Sequence, residues 1–369
     1  HEAGHEVLMV APEGPFGSEF TARGYRWFPA PMVRAGMNPF KELWSIVWLY
    51  RLFRRERVDL VHGFIIKGAV YGALAGRLAR VKARVGSITG MGYLFLHDSA
   101  LSRVLRGLVR ILFRLAFAGP AVRVVVQNQD DLALFRDQRL TDREILRLIP
   151  GSGVDCDRFF PVQADADARR ATPRPFRVLL PARLLWHKGL GEYVEAARLL
   201  RSQGRELECL LAGEFDPSNP SSIEPATVQS WVSSGVVDWL GFVDNMPELL
   251  RTVDAVVLPS YREGLPKALV EAAACGLPLI TTDVAGCREV VRDGREGLLV
   301  PDRSPEALAE AIARLQDAPD KRVEMGRAGR VRAVEQFSER VIIQRTFAVY
   351  AELLPEFACS QEASLASVS

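Results

Sequence analysis

Residues 259–300 read PSYREGLPKALVEAAACGLPLITTDVAGCREVVRDGREGLLV. An apolar strand ends at Leu258, a loop spans Ser260–Pro266, and a helix starts near Lys267. Two further apolar runs follow, Leu279–Thr282 and Gly297–Val300. Short apolar runs separated by helical segments indicate a parallel sheet covered by helices. Gly264 lets the loop backbone turn tightly and approach a ligand without a Cβ in the way. The free N–H groups at the helix start form an anion site. Glu263 stands in the loop and Glu271 inside the helix, so two carboxylates can accept hydrogen bonds from two sets of hydroxyls on one extended ligand. A Glu pair at this spacing is by itself usually solvated surface. Here Glu271 is followed by Ala272–Ala274, a small-residue packing stretch where a solvated carboxylate is out of place.

Outward from this stretch the alternation runs almost throughout the chain. Val7–Ala11, Leu60–His62, Arg84–Ile88, Val122–Val126 and Ile145–Ile149 read as strands of a first lobe, with helices at Leu43–Arg54, Ala69–Ala79, Leu101–Phe117 and Asp130–Arg139. A second lobe has strands Arg177–Pro181, Glu208–Ala212, Val236–Leu240, Ala255–Leu258, Leu279–Thr282 and Gly297–Val300. Its helices are Leu190–Ser202, Met246–Arg251, Lys267–Ala274 and Pro305–Ala318. The fold class is therefore α/β with two Rossmann-like, doubly wound lobes, 1–163 and 175–355. A polar linker around Gln163–Arg174 separates them, and a disordered tail is expected at 356–369. Ligands of such sheets sit beyond the carboxyl ends of the strands.

A chain of 369 residues suits two domains, and 48% hydrophobic with 25% charged residues is ordinary for a soluble globular protein. Residues 1–170 hold 25 Lys/Arg against 17 Asp/Glu, a net of +8, although the whole chain carries only +2. A basic first half points to an anionic partner. Five cysteines without C-x-x-C spacing argue against a disulfide framework or a zinc site and for a reducing cytoplasm. No apolar run reaches the roughly 18 residues that span a bilayer, and no signal peptide is visible.

A second motif follows the first strand of lobe two. In Pro181-Ala-Arg183-Leu-Leu-Trp-His-Lys188-Gly189, two cations five apart flank a turn that opens a helix. Arg offers a bidentate fork and Lys a point charge, which suits a pyrophosphate; two ordinary surface cations would read the same. Together the two motifs resemble the retaining glycosyltransferases of the family-four group, which have the GT-B fold of two lobes facing a central cleft. The matching frame is Pro259, Ser260, Glu263, Gly264, Pro266, Glu271, Ala272, Ala274, Gly276 and Pro278, continued by Gly286, Glu289, Gly294 and Gly297. The resemblance implies that Arg183 and Lys188 hold the donor diphosphate, that Glu271 binds the ribose, and that Glu263 touches the transferred sugar. It also implies that the Gly264–Leu265 backbone meets the phosphates. Trp239-Leu-Gly241-Phe242-Val243 matches the base-side loop, so Phe242 or Val243 lies near the nucleobase or simply ends a core strand.

In lobe one, the family's loop histidine aligns with Thr89, next to Gly90 in Ser87-Ile-Thr-Gly-Met-Gly92-Tyr93. His97 and Asp98 follow in the same segment. His62 ends a strand on the acceptor side and reads equally as an acceptor contact or as packing. Asp155-Cys-Asp157 and Asp165-Ala-Asp167 spell the D-x-D of metal-dependent transferases, but neither follows a strand in a nucleotide-binding lobe, so no metal and no cofactor are expected. By comparison with the GT-B pattern, His1–Gly4 reads as the end of a helix, and the first strand of lobe one is expected to be missing.

The resulting expectation is a metal-independent hexosyltransferase. It moves a sugar, an N-acetylhexosamine being one candidate, from a UDP-sugar to a lipid-linked or polysaccharide acceptor in bacterial cell-surface glycan synthesis. The alternatives are a UDP-sugar epimerase of the same fold and a non-catalytic nucleotide-sugar binder. Expected partners are the nucleotide-sugar donor, the lipid-linked glycan and an anionic membrane surface, with no nucleic acid. Arg103, Arg106, Arg110 and Arg114 share one face of the helix at Leu101–Phe117, and Phe40–Arg57 mixes Trp44, Trp48 and Tyr50 with further arginines. These helices are either core helices with arginine outer faces or a peripheral contact to the inner face of the plasma membrane.

Overall fold

In the computed structural model the described residues are 1–14, 16–32, 38–89, 100–161 and 174–357. Gly90, His97, Asp98, Asp165, Asp167, the linker before Arg174 and the tail beyond Phe357 lie outside them. The chain forms two compact units. The first is His1–Gln127, Asp131–Ile149 and Gln344–Ser369; the second is Asn128–Asp130 and Pro150–Ile343.

The first unit contains β1 (Leu8–Pro12), α1 (Phe16–Ala22), β2 (Arg26–Ala30), α2 (Pro39–Arg55), β3 (Leu60–Phe64) and α3 (Ile65–Ala79). It continues with β4 (Ala83–Ile88), α4 (Ala100–Ala116), β5 (Val122–Val126), α5 (Gln129–Asp137) and β6 (Leu146–Leu148). All pairings are parallel, but they make two sheets, β1-β2 and β3-β4-β5-β6. Every residue of β4 is buried, as its central place requires. Alternating small residues of α3, including Gly72 and Gly76, let that helix lie close on Val61 of β3. Phe113 and Phe117, at the end of α4, pack with Phe135 of α5. The buried Arg84 guanidinium donates to the carbonyls of Ala116 and Ala118 at 3.2 and 3.0 Å, so a cation closes the carboxyl end of α4.

The second unit begins its sheet with β7 (Phe176–Pro181), then α6 (Leu190–Ser202), β8 (Leu207–Ala212), α7 (Pro225–Ser233), β9 (Asp238–Trp239), α8 (Met246–Arg251) and β10 (Ala255–Leu258). There follow α9 (Lys267–Ala274), β11 (Leu279–Thr282), α10 (Cys287–Val290), β12 (Gly297–Val300), α11 (Pro305–Asp317) and α12 (Pro319–Arg332). One parallel sheet runs β12-β11-β10-β7-β8-β9. Apolar cores cover both faces, and fully buried Tyr193 of α6 anchors one of them by donating its hydroxyl to the carbonyls of Val178 and Leu210. The strand order reverses between β7 and β10, which is the topological switch point where such sheets take ligands.

The last helix, α13 (Glu339–Ala351), starts in the second unit, but from Gln344 onward the chain belongs to the first. The sequence pattern alone assigns everything from 175 to 355 to the second lobe. There Tyr350 bonds to His62, and Glu352 accepts from Arg123 of β5 and Arg147 of β6 at 2.6 and 2.5 Å. The segment His1–Gly4, expected as a helix end, is turn and bend.

Candidate functional site

The loops after β7 and β10 leave the sheet side by side, and each expected donor-site residue of the two motifs lies on them or on α9. The loop after β7 is anchored by Leu184 and Leu185, both fully buried, and turns at Gly189 with φ +77°. A Cβ at Gly189 would stand 2.1 Å from the Pro259 carbonyl oxygen, so only glycine allows this loop to lie on the end of β10. That close approach carries Lys188 to the neighbouring loop. Its Nζ sits 2.5 Å from Glu263 Oε1, which also accepts from Ser260 Oγ at 2.7 Å. Gly286 lets the loop after β11 press on the same place, since a Cβ there would meet the carbonyls of Glu263 and Gly264 at 2.6 Å. The structure thus brings together Lys188, Glu263 and Gly264 at the switch point, while Arg183, on the same loop as Lys188, pairs with Asp216 after β8.

Glu271 lies one turn into α9, whose Ala272–Ala274 are buried as the small-residue stretch implied. Burial pushes its carboxyl upward, and Lys267, 3.7 Å away, and Arg158 pull it back. A largely desolvated carboxylate of this kind gains by accepting hydroxyl hydrogen bonds. On the β8–β9 side, Trp239 donates its indole N–H to the Gly213 carbonyl and packs edge-on to Phe215. Phe242 is exposed and Val243 half-buried in the next loop, so Phe242 offers a free ring face there.

Three residues of this unit stand outside the motifs. Asp216 pairs with Arg183 at 2.5 Å. Tyr261 donates to Glu192 at 2.7 Å and carries the Arg303 guanidinium over its ring at 4.6 Å. Asn128, fully buried, donates to the Gly264 carbonyl at 2.7 Å. Each lies far in sequence from its partner, and only the sheet order brings them together. Asp155 of the first D-x-D accepts from the N–H groups of Asp157 and Arg158, as a turn cap does.

In the first unit, Thr89 is half-buried just past β4. His62 is tied at both ring nitrogens, Nδ1 to Tyr350 Oη at 2.6 Å and Nε2 to Ser87 Oγ at 2.7 Å, and its ring stacks on Phe64. Burial lowers its pKa to about 4. Its polar atoms serve the packing of that unit. On the arginine helix α4, Arg114 is exposed. Arg106 and Arg110 are half-buried, and Arg110 donates to Gln138. Ile111 and Leu115 are 58% and 53% exposed. On α2, Phe40, Leu43 and Trp44 are exposed too, with Arg51 stacked over Trp44.

Two parallel α/β units, one with paired cations and carboxylates at its switch point, define a nucleotide-sugar-using enzyme of the GT-B type. Residues 1–158 match the family described as Glycosyltransferase Family 4, and residues 175–318 match Glycosyl transferases group 1. The chain is a glycosyltransferase made of these two family domains. It is 26% identical over 352 residues to the N,N'-diacetylbacillosaminyl-diphospho-undecaprenol alpha-1,3-N-acetylgalactosaminyltransferase of Campylobacter jejuni, covering 94% of this chain and 90% of that one. It is 24% identical to the UDP-Gal:alpha-D-GlcNAc-diphosphoundecaprenol alpha-1,3-galactosyltransferase of Escherichia coli, covering 84% and 79%. HepE of Anabaena in complex with UDP-glucose has the same fold, with a TM-score of 0.74 at 20% identity over 93% of this chain and 91% of that one. The relatives are bacterial glycosyltransferases, so the transferase reading stands above the epimerase and the binder.

Proposed function

We propose that this glycosyltransferase moves a hexosyl unit from a UDP-sugar to a polyprenyl-diphosphate-linked glycan, with retention and without a metal ion. The observation that carries the reading is Lys188 held against Glu263 at the strand-order reversal, with Arg183 on the same loop and Glu271 desolvated on the adjoining helix. Arg183 and Lys188 neutralise the charge that develops on the leaving diphosphate, the role a metal plays elsewhere. Glu271 accepts from the ribose hydroxyls, Glu263 faces the transferred sugar, and Gly264 and Leu265 offer backbone N–H groups to the phosphates. Phe242 or Val243 covers the base. Thr89, Gly90 and His62 belong to the acceptor-side unit, Thr89 as a candidate hydroxyl contact. The names of the Campylobacter and Escherichia relatives support a lipid diphosphate acceptor, and the HepE complex supports a UDP-sugar donor.

The reading includes peripheral attachment to the cytoplasmic leaflet. Among the described residues no helix is long and apolar enough to cross a membrane. The exposed apolar residues of α2 and α4, on a unit rich in arginine, support contact with an anionic bilayer through apolar insertion flanked by charge.

The test is incubation with radiolabelled UDP-sugars and bacterial lipid extract, with and without EDTA. Label in the lipid phase in both arms is expected. An altered soluble sugar without lipid label means epimerisation, and loss of transfer in EDTA restored by manganese removes the metal-free mechanism. Arg183→Ala and Glu271→Ala should each weaken UDP binding by about 1.5–3 kcal/mol, the worth of a hydrogen bond to a charged group. Calorimetry with unchanged affinity in both would displace the donor site.

A further inference from the structure

Arg183 has a counter-ion that its motif does not announce. Its Nη1 donates to Asp216 Oδ2 at 2.5 Å; the Arg183 side chain is 48% exposed and Asp216 12%. The carboxylate is fixed from its other side. Ser218 Oγ donates to Asp216 Oδ1 at 2.6 Å, and the Asn219 N–H donates to the Asp216 carbonyl at 2.9 Å. The loop bearing Asp216 is also zipped to the loop bearing Arg183. The N–H groups of Ala182, Leu184 and Trp186 donate to the carbonyls of Ala212, Glu214 and Ser221 at 3.0, 2.9 and 2.8 Å. Asp216 therefore occupies a set position relative to the guanidinium.

A guanidinium is a rigid fork of N–H donors. One arm of Arg183 is taken by Asp216, and the exposed remainder can take a second anion. Two anions on one fork repel each other, so the carboxylate that aims the fork also weakens its hold on the ligand. Lys188 has a carboxylate beside it too, but Glu263 already has an expected duty toward the sugar, and Asp216 has none. We propose that Asp216 is a positioning residue that orients Arg183 and, by its charge, tempers the grip on the diphosphate so that the nucleoside diphosphate product departs. This rests on the donor-site reading above.

Asp216→Asn is the informative variant, because it keeps an acceptor oxygen for Arg183 and removes the charge. Titration calorimetry with UDP, GDP and ADP is run on the parent, Asp216→Asn, Arg183→Ala and Ser218→Ala. The nucleotide that the parent binds most tightly should bind Asp216→Asn about fivefold more tightly, the effect of one like charge at short range in high dielectric. It should bind Arg183→Ala more weakly, and Ser218→Ala, which keeps the Asp216 charge, less tightly than Asp216→Asn. In steady state the Asp216→Asn donor KM falls and kcat falls with it, as release slows. A loop that is merely braced by Asp216 would loosen, with affinity equal to or below the parent's, and that outcome overturns the proposal. If Arg183→Ala weakens binding while Asp216→Asn fails to tighten it, this inference falls and the donor site stands. If the parent binds none of the three, both fall.

Discussion

The second unit carries one sheet of six strands, while the first divides its strands into a pair and a foursome. The interior strands β7 and β10 are buried almost throughout, whereas no residue of β1 or β3 is fully buried. A continuous parallel sheet needs little else to fix its strand ends, and it sets the loops of the second unit close enough for backbone to touch backbone. The first unit gains its definition from helices and from polar clamps. Arg84 closes a helix end, and Tyr350 and Glu352 of the returning segment tie to His62, Arg123 and Arg147. The two halves should therefore fail in different ways.

The largest effect is expected where the second unit relies on close approach. Gly189→Ala meets the Pro259 carbonyl and also forces a side chain into the left-handed region, so it should cost roughly 3 kcal/mol or more and abolish nucleotide binding. Gly204→Ala has the same kind of dihedral, φ +75°, with open space around the new Cβ, and should cost only about 1 kcal/mol. Thermal melts of the two variants settle the matter; equal losses would mean that loop contact contributes nothing.

The first unit should break at its surface. On the proposed membrane contact, Ile111→Glu/Leu115→Glu on α4 should reduce co-sedimentation with phosphatidylglycerol liposomes tenfold or more, since it replaces exposed apolar area by charge of the wrong sign. Val331→Glu, an exposed apolar position of α12 in the second unit, should leave sedimentation alone. Equal binding by the α4 variant and the parent would remove the membrane surface from the first unit.

The smallest effect concerns acid. His62 is neutral in the folded state with a pKa near 4, so between its ordinary value and that point the unfolded chain binds the extra proton. Stability then declines as pH falls from about 6.5 towards 4, by on the order of 1 kcal/mol at pH 5.5. The Arg147 and Arg123 hydrogen bonds hold Glu352 below the usual carboxylate range, so its contribution is complete above that range and is lost at still lower pH. His187 of the second unit is also lowered, by burial and then by Lys188. The decisive comparison is thus the melting temperature from pH 7 to 5 for the parent and His62→Gln. A variant as acid-sensitive as the parent would mean that the clamp does not set this response.

The sequence showed the second unit more clearly than the first for the same reason. Leu190–Ser202, Lys267–Ala274, Ala255–Leu258 and Gly297–Val300 have in the structure the bounds read from the chain, because buried apolar runs there alternate with Gly and Pro stops. The edge strand Arg26–Ala30 is not legible in the sequence; with Arg26 and Pro29 among five residues it lacks an apolar run. Nor is helix α12, since PDKRVEMGRAGRVR has no apolar stripe. The period of the α4 arginines was legible, but which face turns outward was not. That is decided by Phe113 and Ala116 meeting the core, a tertiary fact. The motif residues of the proposed donor site were legible because they lie in the loops after two strands or on the helix that follows, while Asp216 and Asn128 matter only through partners 33 and 136 residues away.

The returning segment also sets an order of events during synthesis. Tyr350 leaves the ribosome 288 residues after His62, and Glu352 follows Arg123 and Arg147 by 229 and 205. At about 5–20 residues per second, that is a delay on the order of 10–60 s. Throughout it the nascent first unit has its helices but neither clamp, with the edges of two short sheets open to pairing. The second unit, made later, has nearly all of its own chain before the first is closed. The half that is translated first is therefore the half that matures last.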